Sequence, residues 1–73
     1  MNPMSHDPRV NPIAGDRVAK DGKERQVEDV WYEAGKPRRL RVSFLGTGVT
    51  LPDESIRSWR RWAKDGEVTY AAA

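Results

Sequence analysis

The sequence of 73 residues contains no cysteine and only one histidine. Disulfides and thiolate metal sites, which often stabilise very small domains, are therefore excluded, and a reducing cytoplasm is favoured. No stretch approaches the roughly 20 apolar residues that a membrane-spanning helix needs, and residues 1–9 lack the apolar core of a signal peptide. These absences predict a soluble cytoplasmic protein that uses no metal and no cofactor.

Large apolar residues are also scarce, since Leu, Ile, Val and Phe together number 13. The net charge of only +2 argues against disorder, which needs low hydrophobicity together with strong self-repulsion. A chain of this length forms one domain and buries about 60% of the surface that its unfolded form exposes. A deep catalytic cleft is not expected, and no serine or carboxylate has a sequence partner that would activate it. The sequence therefore predicts a protein that is not an enzyme.

Three prolines, at positions 3, 8 and 12, punctuate the N-terminus. Each removes an N–H donor and favours extended geometry in the residue before it. Residues 1–13 are predicted to be a flexible tail, residues 14–70 a single small domain, and residues 71–73 a disordered C-terminus. A tail of this kind is either a disordered end or a segment that orders on a partner. In the second case its anchors would be Met4, His6, Arg9 and Val10.

Alternation of apolar and polar residues predicts an antiparallel meander. Strands are expected over residues 14–20, 25–32, 38–45 and 49–51. Asp21-Gly22 is a favoured pair for a tight hairpin turn, and a turn is also predicted at residues 35–37. Val27 and Val30 are three positions apart, so a bulge at Glu28-Asp29 would place both on the core face, whereas the alternative is a helical turn there.

After Leu51 the apolar period changes from two to about 3.6 residues, which predicts an amphipathic helix with Asp53 as its N-cap. Its apolar face comprises Ile56, Trp59, Trp62 and Ala63. Asp65-Gly66 is expected to end the helix, and residues 67–70 to return as a short strand. The fold class is α+β, mainly β: a small curved antiparallel sheet of three to five strands with one C-terminal helix. The sequence leaves open whether the sheet closes as an SH3-like barrel.

Positive charge is concentrated in the third strand and the helix. The basic residues are Lys36, Arg38, Arg39, Arg41, Arg57, Arg60, Arg61 and Lys64. If the two elements adjoin, these side chains form one surface that contacts phosphates or an acidic protein. The alternative is a solvated face whose surface ion pairs contribute little. Trp31 and Tyr32 are neighbours in a strand, so one ring must face outward, either as a stacking platform or interface anchor or in a packing role at the sheet edge.

The run Gly15-Asp16-Arg17-Val18, followed by Gly22, Val27 and Val30, resembles the opening of KOW-type and other SH3-like barrels. This resemblance implies a stand-alone module that binds RNA or DNA. Continued to Trp31-Tyr32, the run also resembles the short SH3-like dihydrofolate reductases of resistance plasmids. Their active-site signature Val-Gln-Ile-Tyr is replaced in this chain by residues 49–52, Val-Thr-Leu-Pro.

In overall plan the chain is similar to small phage proteins that bind host RNA polymerase, in particular the transcription regulators and antiterminators of Xanthomonas lytic phages. That similarity implies a monomer in the host cytoplasm that binds the N-terminus of the β′ subunit and the nearby β flap. It also implies displacement of the promoter-specificity factor and suppression of termination. The leading hypothesis is therefore a non-enzymatic transcription regulator. The alternatives are the stand-alone nucleic-acid-binding barrel and, third, a barrel like the plasmid dihydrofolate reductases.

Overall fold

The computed structural model describes residues 6–46 and 53–71, and for residues 36–38 it describes the backbone alone. In chain order the elements are β1 (Arg17–Lys20), β2 (Lys23–Glu33), β3 (Lys36–Gly46), β4 (Asp53–Ser55), α1 (Ile56–Ala63) and β5 (Glu67–Thr69). Strands dominate and one short helix lies between β4 and β5, so the predicted α+β, mainly β, class is confirmed. The predicted strand over residues 49–51 lies outside the described residues.

The strands form one antiparallel sheet in the order β4-β3-β2-β1-β5. The first four follow one another as a meander, because each strand pairs with its neighbour in sequence. The chain then passes through α1 and returns as β5, which pairs with β1. Among the described residues β4 and β5 do not pair with each other, so the sheet is open.

The hairpin between β1 and β2 turns at Asp21 and Gly22, whose φ angles are 52° and 76°. Two consecutive left-handed residues are what a two-residue hairpin of the type I′ class requires, and Asp-Gly supplies them at low cost. The predicted hairpin is therefore confirmed. Its first strand is shorter than expected, because residues 14 and 15 form a turn that precedes β1.

The predicted bulge is present in β2. Val27 pairs with Phe44 and Asp29 with Ser43, so Glu28 is an extra residue in the register. The insertion lets Val27, which is 1% exposed, and Val30 face the core together. The alternative of a helical turn at this point is wrong.

The hairpin between β2 and β3 differs from the sequence prediction. The turn consists of residues 34 and 35, and β3 already begins at Lys36. Tyr32 is opposite Leu40, but the next residue, Glu33, is opposite Lys36. Residues 37–39 therefore have no partner on β2. Pro37 falls in this interruption, where its missing N–H breaks no ladder hydrogen bond.

The start of the helix also differs. Residues 53–55 form the edge strand β4, and the N-cap of α1 is Ser55, whose Oγ accepts from the Ser58 N–H at 3.2 Å. Asp53, which the sequence predicts as the cap, instead accepts hydrogen bonds from Arg41 on β3. Asp and Ser are comparable N-caps, and the pairing of β4 with β3 decides between them.

The core lies between one face of the sheet and α1. The buried apolar side chains are Val18, Val27, Val42, Phe44, Trp59 and Ala63, with Val30, Ile56, Trp62 and Val68 partly buried against them. The predicted apolar face of the helix is therefore confirmed. The Trp59 ring, 0% exposed, lies 5.6 Å from the centroids of both Phe44 and Trp62, within the range of favourable aromatic pairs.

Arg25 completes the edge of this core. Its guanidinium lies 4.1 Å from the centroid of Trp62 and 4.6 Å from that of Phe44, and its Nη1 donates to Glu54 Oε1 at 2.7 Å. Cation–π contact and the apolar stem of the side chain let a charged residue cover aromatic surface. The core is therefore shielded by an ion-paired arginine instead of a further apolar residue.

The helix ends near Asp65-Gly66, but for a different reason than predicted. The left-handed residue is Asp65, with φ 64°. Gly66 is buried, and a Cβ built on it would lie 2.6 Å from Val18 Cγ1 and 3.0 Å from the Ala63 carbonyl oxygen. Glycine is thus required here for close approach to β1, and residues 67–69 then pair with that strand as predicted.

The N-terminal segment, residues 6–13, packs against the rest of the fold. The Trp59 indole N–H donates to the Pro8 carbonyl oxygen at 2.9 Å, and Pro8 and Pro12 are buried. Sequence analysis separates a tail of residues 1–13 from the domain, whereas the described contacts join residues 6–13 to α1 and the sheet. Residues 1–5 and the last two alanines lie outside the description, and the flexibility of the termini stays a prediction.

Candidate anion-binding groove

A groove of about 520 Å³ lies at the corner between β3 and the first turns of α1. Four arginines line it: Arg39, Arg41, Arg57 and Arg60. Leu40 and Ile56 contribute apolar surface, and among the described residues Glu33 is the one carboxylate of the lining. We call this feature the arginine groove.

The short edge strand β4 accounts for this geometry. Ser55, the last residue of β4, is opposite Arg41, and the chain continues directly into α1. Residues two apart on a strand share a face, and residues three apart on a helix are neighbours. The turn at Ser55 therefore brings the pair Arg39 and Arg41 beside the pair Arg57 and Arg60.

Two of the four groove arginines are held by groups of the protein. The Arg41 Nε donates to Asp53 Oδ1 at 2.9 Å, and its Nη2 reaches the same oxygen. The Arg60 Nε donates to the Val10 carbonyl oxygen at 2.8 Å. The Arg60 Nη2 also donates to Asn11 Oδ1 at 3.2 Å. Because both acceptors are neutral, these contacts orient Arg60 without forming an ion pair with any described residue.

The other two, Arg39 and Arg57, are exposed. Neither forms an ion pair or a side-chain hydrogen bond with any residue that the structure describes. Guanidinium groups in this state offer paired N–H donors that match the oxygens of a phosphate or carboxylate. The arginine groove can therefore accept an anionic ligand without first breaking an internal ion pair at these two positions.

The eight predicted basic residues thus divide into groups. Four of them line the arginine groove, as the hypothesis of adjoining elements requires. Arg61 and Lys64 are exposed on α1 outside it, and the side chains of Lys36 and Arg38 lie outside the description. Lys64 lines a second, smaller pocket of about 350 Å³ with Asp7, Arg9, Val10, Arg60 and Asp65, where acids offset much of the positive charge.

Two of the four predicted tail anchors, His6 and Arg9, have internal partners: the His6 imidazole lies 2.8 Å from Asp16 Oδ2. Arg9 donates to both carboxylate oxygens of Asp7, which lowers the pKa of Asp7 and raises that of Arg9. Val10 is 42% exposed, and Met4 lies outside the described residues. Binding of a partner through these residues stays a prediction.

Asp16 is the residue that sequence analysis missed. It is 0% exposed, and its Oδ2 accepts from the Ile13 N–H at 2.9 Å and lies 2.8 Å from His6 Nε2. Its Oδ1 accepts from the Ala71 N–H at 2.8 Å. The carboxylate therefore ties the N-terminal segment and the C-terminal end to the start of β1. Burial of a charge is tolerated because every one of these contacts compensates it.

The aromatic pair in β2 is exposed at both positions. Trp31 is 37% exposed and its Cα partner is Arg41, while Tyr32 is 63% exposed opposite Leu40. Both partners line the arginine groove. The expectation that one ring faces solvent holds for both residues, and their role as anchors stays a prediction.

Within residues 6–46 and 53–71 no group of three or more histidine and acidic side chains could hold a metal ion. No helix in this part of the chain has the length and apolar character needed to cross a membrane. Comparisons with models of protein families, with curated proteins and with solved structures find no match to this chain. A function for the chain therefore has to be proposed from its own residues, above all those of the arginine groove.

Proposed function

We propose that the protein is a non-enzymatic regulator that binds the bacterial transcription apparatus and uses the arginine groove to contact an anionic surface there. The observation that supports this function is the convergence of four arginines from β3 and α1 on one groove, whose described lining includes a single carboxylate. Such a cluster favours phosphate or carboxylate oxygens through bidentate, charge-assisted hydrogen bonds.

The proposed partner is bacterial RNA polymerase, at the N-terminus of its β′ subunit and the nearby β flap. This choice comes from the similarity in plan to small transcription regulators of Xanthomonas lytic phages. The SH3-like classification of the fold is part of this proposal: the meander of β1–β4 with β5 returning beside β1 supports it, while the described sheet itself is open. In this proposal the protein acts as a monomer in the cytoplasm of the host cell.

A pull-down from bacterial lysate, with and without nuclease and followed by mass spectrometry, tests this function. The informative variant is Arg39→Glu/Arg57→Glu, because both side chains are exposed and carry no internal ion pair among the described residues. The matched control is Arg17→Glu/Lys23→Glu, which makes the same change of charge at exposed positions of the β1–β2 hairpin. Wild type and control should recover polymerase subunits despite nuclease, and the groove variant should recover far less. Equal recovery by all three proteins would contradict the proposal.

The second candidate is the stand-alone nucleic-acid-binding module, and the exposed ring of Tyr32 beside the arginine groove favours it. This function requires direct binding to RNA or DNA in the absence of polymerase. Arg41 is already paired with Asp53, so three groove arginines that each neutralise one phosphate of a single strand give a slope of about −2 in a plot of log K against log salt concentration. Recovery of polymerase that vanishes with nuclease would support this candidate, and a flat response to salt would count against it.

A further inference from the structure

The outer half of the β2–β3 hairpin carries an aromatic ring that the fold does not bury. On the core-facing side of β2, Val27 is 1% exposed and Val30 is partly buried, whereas Tyr32 is 63% exposed. Tyr32 is opposite Leu40 and precedes Glu33, and both of these neighbours line the arginine groove. The ring therefore lies on β2, next to the part of β3 that lines the groove, and α1 does not bury it.

The face of the sheet on which each side chain lies follows from the register. Val30 and Val42 are opposite each other and both face the core. Side chains alternate along a strand, so Tyr32 and Leu40 share that face, and Trp31 and Arg41 lie on the other. An aromatic residue of β2 therefore lies near the arginine groove on each face of the sheet. Tyr32 is the more exposed of the two.

Arginines next to an exposed aromatic ring suit one class of ligand better than the others. A base that is not paired can stack on the ring while arginines contact the adjoining phosphates, which is how single strands are bound without sequence preference. In a duplex the bases are stacked on one another and cannot use the ring. An acidic protein surface can also pack against an exposed tyrosine, whereas a single strand offers both a stacking face and a phosphate at every nucleotide.

We propose that the arginine groove and Tyr32 together form a binding site for single-stranded nucleic acid. Arg39 and Arg57 contact phosphates, and Tyr32 stacks under a base. This inference rests on the proposed function and specifies the ligand of the same groove, namely the unpaired RNA or DNA that a transcription complex holds and shields from nuclease.

The test is fluorescence anisotropy of a labelled oligonucleotide of about 12 nucleotides, as a single strand and as the matching duplex, at about 50 to 200 mM salt. The variants are Tyr32→Ala and Tyr32→Phe. Leu45→Ala is the matched control, because Leu45 is 61% exposed and lies on the opposite face of the sheet from Tyr32. Thermal melting of each variant verifies that it is folded.

The wild type should bind the single strand more tightly than the duplex. Tyr32→Ala should weaken binding of the single strand about 5- to 100-fold, the range measured for removal of one stacking residue, whereas Tyr32→Phe and Leu45→Ala should bind like the wild type. Undiminished binding by Tyr32→Ala, or equal affinity for strand and duplex, would overturn the inference.

The variant Arg39→Glu/Arg57→Glu separates this inference from the proposed function. If that variant loses polymerase in the pull-down while Tyr32→Ala binds nucleic acid like the wild type, the groove function stands and the stacking site is refuted. If no oligonucleotide binds at all but polymerase recovery still depends on the groove, the occupant is an acidic protein surface and the inference is again refuted. If Tyr32→Ala loses binding of the single strand while Arg39→Glu/Arg57→Glu recovers polymerase like the wild type, the inference is supported and the proposed function is contradicted.

Discussion

Replacing Asp16 by alanine removes the carboxylate that joins the two ends of the chain to β1. Three donors lose their acceptor: the Ile13 and Ala71 amides and the His6 imidazole. Each hydrogen bond to a charged group contributes about 1.5–3 kcal/mol, and breaking one partner of a buried charged cluster typically costs about 3–5 kcal/mol. Stabilities of about 0.05–0.15 kcal/mol per residue imply roughly 4–11 kcal/mol for this chain, so Asp16→Ala should leave it close to unfolding.

The isosteric change Asp16→Asn refines the prediction. The amide oxygen can take the place of Oδ2 and accept from His6 and the Ile13 N–H. The NH₂ group then takes the place of Oδ1 and faces the Ala71 N–H, which loses its acceptor. The expected cost is about 1.5–3 kcal/mol.

Urea unfolding followed by tryptophan fluorescence measures both changes, and hydrogen exchange reports whether residues 6–13 detach first. Asp21→Asn is the control, because it removes the same charge from an exposed hairpin turn and should change stability by less than about 0.5 kcal/mol. A stability of Asp16→Ala within that same margin would refute the role given to the carboxylate.

Two further predictions concern the core. Trp59→Ala should lower the free energy of unfolding by about 3–5 kcal/mol. Trp62→Ala should lower it by roughly half as much, because Trp59 is fully buried and Trp62 only partly. Equal melting temperatures of the two variants would contradict this order. Gly66→Ala should lower the free energy of unfolding by about 1–3 kcal/mol, since the added Cβ would collide with Val18. An unchanged urea midpoint would show that β1 and the end of α1 can move apart at no cost in stability.

The elements that sequence analysis predicted correctly are those decided by neighbouring residues. The turn at Asp21-Gly22 depends on two adjacent left-handed residues, and the bulge beside Val27 depends on the spacing of two valines. The apolar face of α1 depends on a period of 3.6 residues. Each of these signals is contained in a window of a few residues, so the sequence alone is enough to recognise it.

The features that it missed are decided by contacts between distant residues. Nothing local distinguishes Ser55 from Asp53 as the N-cap, and only the pairing of residues 53–55 with β3 excludes Asp53. The packing of residues 6–13 depends on Asp16 and on the indole N–H of Trp59, which lie 3 to 51 residues away in sequence from the groups in this segment that they bind. A Gly-Asp pair at the start of a strand gave no sign that the carboxylate would be buried.

The candidate site is an intermediate case. Charge patterning identified Arg39, Arg41, Arg57 and Arg60 as members of a basic surface, because both elements are rich in arginine. That these four line one groove follows from the short β4, which turns directly into α1, whereas the periodicity predicts that residues 53–55 belong to the helix. The structure also shows that Arg41 is paired with Asp53 and that Arg60 donates to the Val10 carbonyl oxygen. Reversing the charge of Arg41, or deleting residues 1–12, would therefore disturb the fold as well as the basic surface.

The arginine groove as the ligand-binding site is the central claim, and an NMR titration tests it most directly. Backbone amide shifts of the 73-residue chain would be followed during addition of a single-stranded oligonucleotide at low salt. The account predicts the largest shifts at residues 32–33, 39–41 and 55–60. Shifts concentrated on β1 and β5, at the far side of the sheet, or no shifts at all, would contradict it.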